Sequence, residues 1–209
     1  MDGEEPHMKG HRVVAFTGAG ISRESGVPTF AEMGDIRDKL SRTYFLAHPR
    51  EFYELLLGMK GITEGAKPNA AHRALAQRHI PVVTMNIDGL HRRAGTERLV
   101  ELHGNLDRVL CRQCGQAYCF RQIETDIRCP ECGALLDPDV VLYGDLIERY
   151  PEAFALMGDC DTLLVVGTSF YTSTAGVCVE AAREAGARVV VVNDNAASRV
   201  PAFLQSISI

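Results

Sequence analysis

The chain has 209 residues, 46% of them hydrophobic and 23% charged, enough apolar material for one compact domain or one domain with a small insert. Its formal net charge of −5 leaves no electrostatic footprint for nucleic acid or an anionic membrane, so neither is expected as a direct partner. Residues 1–11 are polar and acidic rather than leader-like, and no apolar run approaches the roughly 18–20 residues that span a bilayer.

In chain order, Val13-Val14-Ala15-Phe16-Thr17 reads as a short buried strand that runs into a glycine turn and a helix-like stretch. From Asp35 to Met59 the pattern turns helical, with Leu40, Tyr44, Phe45, Phe52, Leu55 and Leu56 at three- and four-residue spacings. Asn69 caps a predicted helix over Ala70 to His79. Strands are predicted at Pro81–Met85 and Leu99–Leu102, then a cysteine-rich stretch from Cys111 to Cys132. Further strands follow at Val140–Tyr143, Leu163–Val166 and Arg188–Val192, with a helix over Ala175–Ala185. Strands alternate with helices, and each strand's C-terminal end carries glycine or polar residues. Open α/β sheets place their ligands there.

Six strings at those ends carry chemistry. Gly18-Ala19-Gly20, continuing to Thr29 and Phe30, lets backbone approach a pyrophosphate. Arg23 stands where a strict dinucleotide fingerprint has its third glycine, so a plain strand-to-helix turn accounts for the spacing as well. Asn86-Ile87-Asp88-Gly89 puts an amide and a carboxylate at a strand end, or forms an Asx turn that caps a helix. His103, within Glu101-Leu102-His103-Gly104-Asn105, has the chemistry of a general base or of a structural histidine. Cys111-x-x-Cys114 and Cys129-x-x-Cys132 are separated by fourteen residues, a spacing for one closed, structural Zn2+ site. Cys119 is a weaker ligand alternative, and Cys160 and Cys178 read as core. This cysteine usage points to a reducing compartment, and a cytoplasmic location is expected. Val141-Leu142-Tyr143-Gly144 reads as a strand and turn with backbone available for pairing. Gly167-Thr168-Ser169 and Asn193 suit phosphate or ribose contacts, or helix capping.

Taken in order, these strings resemble the sirtuin family of NAD-dependent protein deacylases over nearly the whole chain. The resemblance implies a Rossmann-like parallel sheet with helices on both faces, over 1–30, 65–106 and 139–209. A small domain would combine a helical module, 31–64, with a zinc ribbon, 107–138. It implies NAD as cosubstrate, contacted by Gly18, Ala19, Gly20, Thr29, Phe30, Ile87, Gly167, Thr168, Ser169 and Asn193. An acyl-lysine protein or peptide would lie along Val141, Leu142, Tyr143 and Gly144. Asn86 and Asp88 would line the nicotinamide pocket. His103 would take a proton from a ribose hydroxyl, giving nicotinamide, free lysine and O-acyl-ADP-ribose.

The chain departs from the family pattern mildly at Tyr143 and Asp145, where the family has Phe-Gly-Glu, and with more consequence at three other places. Ala31 stands where the family has Arg after Phe30, and Arg37 or Arg23 is expected to substitute in part. Met85 replaces a ribose-binding Gln. Tyr44 is followed by Phe45-Leu46-Ala47 rather than by the Tyr-x-x-Arg pair that receives acidic acyl groups, so those groups are disfavoured. An NAD glycohydrolase or ADP-ribosyltransferase on the same fold, and a weakly catalytic NAD- or ADP-ribose-binding module, remain as rival readings. The sequence leaves the oligomeric state open.

Overall fold

The computed structural model describes residues 12–29, 32–34, 36–168 and 173–207, with the Arg37 side chain excepted. The first part of the chain forms β1 (Val13–Thr17), a 3-10 turn over Ala19–Ser25, α1 (Ile36–Lys39), α2 (Arg42–Ala47), α3 (Pro49–Gly65) and α4 (Ala70–Gln77). The middle forms β2 (Val82–Thr84), α5 (Leu90–Arg93), β3 (Leu99–Glu101), β4 (Gly104–Leu110), β5 (Ala117–Cys119), α6 (Gln122–Thr125) and β6 (Asp137–Val140). The last part forms α7 (Tyr150–Met157), β7 (Thr162–Val166), α8 (Ser173–Glu184), β8 (Arg188–Val192) and α9 (Ala196–Ser206).

Five strands make one parallel sheet in the order β3-β2-β1-β7-β8. β1 and β7 lie at its centre and are buried along their whole length, because helices cover both faces. Alternate residues serve opposite cores. Val14, Phe16, Leu163 and Val165 pack with Met157 of α7 and Cys178 of α8. Val13, Ala15, Leu164 and Val166 pack with Leu75 of α4 and Val200 of α9. This two-residue period, apolar on both sides, is why the strands read as continuous hydrophobic runs. From β1 the chain first builds outward through β2 and β3, then returns to add β7 and β8 on the other side. The strand order therefore reverses between β1 and β7, where a crevice opens beyond the strand ends.

A second sheet, β5-β4-β6, is antiparallel and has its own core. Phe45, Phe52, Tyr53 and Leu56 of α2 and α3 pack there against Val109, Phe120 and Leu136. Phe45, Phe52 and Tyr53 meet edge to face, with centroids 5.0 to 5.9 Å apart, and the Tyr53 hydroxyl donates to the Leu136 carbonyl. The expected limits at 106 and 139 fall inside β4 and β6, which pair with each other.

The strand predicted over Val140–Tyr143 is corrected. The ladder runs over Asp137–Val140 and belongs to the small sheet; beyond it, only Tyr143 bridges, to Ser41. The Asn69 cap is present: its side chain accepts from the Ala71 and His72 amides, and the His72 ring accepts from the Asn69 amide. Among the described residues, no helix is long and apolar enough to cross a membrane.

Candidate functional site

The crevice floor consists of two loops packed backbone to backbone. The Gly18 amide donates to the Val166 carbonyl at 2.9 Å, and the Gly20 amide to the Gly167 carbonyl at 2.8 Å. A Cβ on Gly20 would lie 2.6 Å from the Gly167 Cα. One on Gly167, whose φ is +64°, would lie 2.2 Å from the Ile21 nitrogen. These glycines first allow the chain to approach itself, before any ligand. The Thr168 amide donates to the Asn193 side chain at 3.1 Å, which joins the ends of β7 and β8.

Two cavities flank this floor. One, of about 560 Å³, is lined by Gly20, Arg23, Val27, Glu32, Asn193 and Asp194, among others. The other is narrow and largely apolar, bounded by Ala19, Met59, Met85, Asn86, Ile87 and Asp88. Asn86 and Asp88 are both buried. The Asn86 amide donates to the Gly18 carbonyl, to Ser22 Oγ and to Asp88 Oδ2 at 3.2 to 3.3 Å. Asp88 also accepts from Ser22 Oγ at 2.7 Å and from the Leu90 amide at 2.8 Å, an Asx turn that leads into α5, whose N-cap is Gly89 with no side-chain cap bond. Burial pushes the Asp88 carboxyl above the usual range, against the opposing hydrogen bonds from Leu90 and Ser22. His103 follows β3. Burial lowers its pKa from the ordinary 6.5, opposed by a hydrogen bond to the Met85 backbone, which places the ring beside the Asn86 loop.

Beneath this layer lies a polar network. Thr17 Oγ1 is 2.8 Å from Thr84 Oγ1 and 2.9 Å from His91 Nε2. The His91 ring contacts the His72 ring at 4.7 Å between centroids, and His72 Nε2 lies 3.5 Å from Ser22 Oγ. His91 is thus a buried support behind the site. His72 joins it, and burial pushes the His72 pKa down to about 4. The only sequence signal for His72 was its position in the first turn of a capped helix.

Thr29 and Arg23 converge on Glu32. The Thr29 amide and hydroxyl both donate to Glu32 Oε2 at 2.8 Å, and the Arg23 guanidinium pairs with Oε1 at 2.8 Å. Arg23 therefore lines the large cavity as an ion pair, not as a lone cation. Phe30, Ala31, Ser169 and the Arg37 side chain lie outside the described residues.

The segment expected to take a peptide is bound largely to the protein itself. The Val141 amide donates to the His103 carbonyl at 2.9 Å, and the Tyr143 amide to the Leu40 carbonyl at 3.0 Å. The Tyr143 carbonyl accepts from Arg42 at 2.9 Å, and Leu142 is closed onto Asp145.

The cysteine pairs form two turns of the same design. The Cys111 amide donates to Gln116 and accepts, through its carbonyl, from Gly115; Cys129 does the same with Ala134 and Gly133. Gly115 and Gly133 have φ values of +76° and +71°, which glycine adopts without strain. The four sulfurs lie within 4.8 Å of one another, with Cys111 and Cys132 at 3.4 Å and Cys114 and Cys129 at 3.6 Å. A tetrahedral Zn–S bond of about 2.3 Å requires sulfurs about 3.8 Å apart, so the set fits that ion. Cys119 is exposed and outside the cluster; Cys160 and Cys178 are buried in the core of the large sheet.

A family model described as the Sir2 family matches residues 18–173. An NAD-dependent protein deacylase of Aeropyrum pernix is 41% identical over 195 residues, covering 86% of this chain and 80% of that protein. A structure solved under the heading "Structural Basis for the Mechanism and Regulation of Sir2 Enzymes" matches with a TM-score of 0.82 at 33% identity, over 94% of this chain and 92% of that one. A Sir2 protein with a deacetylated p53 peptide and 3'-O-acetyl-ADP-ribose matches with a TM-score of 0.85 at 26% identity, over 96% of each chain. A paired-glycine crevice, a buried Asn-Asp pair, a strand-end histidine and a four-cysteine cluster thus occur together under a family match to three-quarters of the chain, and the chain belongs to the Sir2 family.

Proposed function

We propose that this chain is an NAD-dependent protein-lysine deacylase, which consumes NAD and acyl-lysine and yields nicotinamide, free lysine and O-acyl-ADP-ribose. The observation that carries the reading is the buried Asn86–Asp88 pair at the narrow apolar pocket, with His103 beside it through Met85. The deacylase name of the Aeropyrum relative and the ligands of the Sir2 structure support it.

In this reading Asn86 and Asp88 hold nicotinamide as it leaves, and Ile87 packs beside it. Gly18, Ala19, Gly20, Thr29, Gly167, Thr168 and Asn193 contact the rest of NAD, the adenosine side filling the larger cavity. His103, with its pKa held below 6.5, is neutral at pH 7 and free to accept the ribose-hydroxyl proton. The peptide lies along Val141–Gly144. Cys111, Cys114, Cys129 and Cys132 hold a structural zinc, whose four thiolates leave no position open for substrate. Two Cys-x-x-Cys pairs spaced for one metal ion favour a reducing, cytoplasmic setting.

The test is incubation with NAD and an acetyl-lysine peptide, following nicotinamide and O-acetyl-ADP-ribose by mass spectrometry. Both products should require the peptide, and His103→Ala should lower turnover about 10³-fold. Nicotinamide release without peptide would transfer the reading to an NAD glycohydrolase or transferase. Binding of NAD without product under any acyl chain would leave a binding module.

A further inference from the structure

We infer that Arg42 is a positioning residue for the peptide substrate, holding the 142–145 turn in the shape that receives it. The inference rests on the deacylase reading and adds to it the device that fixes the peptide-binding edge.

Arg42 sits at the start of α2 and grips the turn in two ways. Its amide donates to the Tyr143 carbonyl at 2.9 Å. Its guanidinium takes both carboxylate oxygens of Asp145, Nε to Oδ1 at 2.9 Å and a terminal nitrogen to Oδ2 at 2.8 Å. The remaining nitrogen reaches Asp137 Oδ1 at 2.8 Å, and the Asp137 Oδ2 accepts from Arg112 at 2.9 Å. The guanidinium also lies 5.2 Å from the centre of the Phe45 ring. The side chains are only 25% exposed for Arg42, 12% for Asp137 and 20% for Asp145, so this fork is shielded from solvent screening. Asp145 in turn accepts the Leu142 amide and donates its own to the Leu142 carbonyl, which closes the turn. From the turn so held, Tyr143 and Leu146 present exposed apolar surface, 43% and 87% accessible.

The near end of the segment is fastened independently. Val141 is bonded to the His103 carbonyl, and Val140 pairs with Gly104 in the β4–β6 ladder. Loss of the Arg42 fork therefore releases the Asp145 side of the turn, which keeps its backbone bonds to Leu40 and Arg42, and leaves His103 in place. The signature is a split in the kinetics: peptide KM moves and kcat does not.

The experiment compares Arg42→Ala, Arg42→Lys and Asp145→Asn with the wild type, with Glu148→Gln as a neighbouring surface control. Arg42→Ala should raise the peptide KM about tenfold, with kcat and the NAD KM within about twofold. Arg42→Lys keeps the charge but not the fork and should fall between, which guards against a misfolded alanine variant. Amide exchange at Tyr143 and Asp145 should quicken in Arg42→Ala while that at Val109 does not. An unchanged peptide KM with unchanged exchange overturns the inference, as does a loss confined to kcat. If the wild type shows no peptide-dependent turnover, the deacylase reading has failed, and the exchange result alone decides whether Arg42 holds the turn.

Discussion

The two sheets of this protein are held by different means. The parallel sheet has apolar cores on both faces, and its central strands are wholly buried. The small sheet has one core, and its strands are partly open: β5 has no fully buried residue and β4 exposes Asp107 and Arg108. Its far end is closed instead by four sulfurs in two hydrogen-bonded turns. Burial scales with size, so the larger unit can rely on the hydrophobic effect alone, and a short antiparallel sheet needs a cross-link. The catalytic candidates sit on the first unit and the 142–145 turn is fastened to the second, so damage to each should read out differently.

The largest separation should come from the metal. A structural Zn2+ contributes about 10 kcal/mol or more to a site of this kind. Chelation, or Cys111→Ser with Cys129→Ser, should abolish amide protection at Val109 and Leu136 while Phe16 and Leu164 keep theirs, as read by hydrogen exchange. Protection that survives metal removal in the small sheet would break the contrast.

A smaller effect should follow from opening the large core. Leu164 is wholly buried between α4 and α9. Leu164→Ala should cost about 3–4 kcal/mol in urea unfolding, through lost burial and the cavity left behind. The loss should not depend on whether metal is bound; dependence would show that the two units unfold as one.

The smallest concerns pH. His72 has its folded pKa at about 4, below the free value of 6.5, because it is buried and faces the charges of Arg73 and Arg93. It also meets the Asn69 amide, the neutral Ser22 hydroxyl and the His91 ring, itself shifted down by burial. Between those two pKa values the unfolded chain binds more protons than the folded one. Stability is therefore full above about pH 6.5 and falls as pH drops toward 4, by up to about 3 kcal/mol from His72. Urea midpoints across that window should show the slope, and His72→Gln should flatten it. A midpoint independent of pH would show that the histidine layer under the glycine loops is not desolvated.

Sequence and structure divide along physical lines. The β-branched runs of β1, β7 and β8, the Asn69 cap and the spacing of the cysteine pairs are local patterns, and each was legible because the backbone geometry they demand is local. The ordered strings also placed Asn86, Asp88 and His103 at strand ends, which follows from strand length and the polar residues beyond. α7, α9 and the pairing of β4 with β6 were not legible. α9 follows a turn through Asn195 at φ +47° and contains Pro201, signals that read as loop. β4 mixes buried and exposed residues without strict alternation, and its pairing shifts register between Gly104 and Val109.

By itself the sequence determined the alternation of strands and helices, the four-thiol site and which polar residues stand at the strand ends, since each depends on spacing along the chain. Only the tertiary structure decided that Gly20 and Gly167 exist for each other, that His72 lies under Ser22, and that Arg42 reaches Asp145 across 103 positions of sequence. Those contacts join segments whose separation in sequence carries no periodic signal, and they form because burial brings their elements together first.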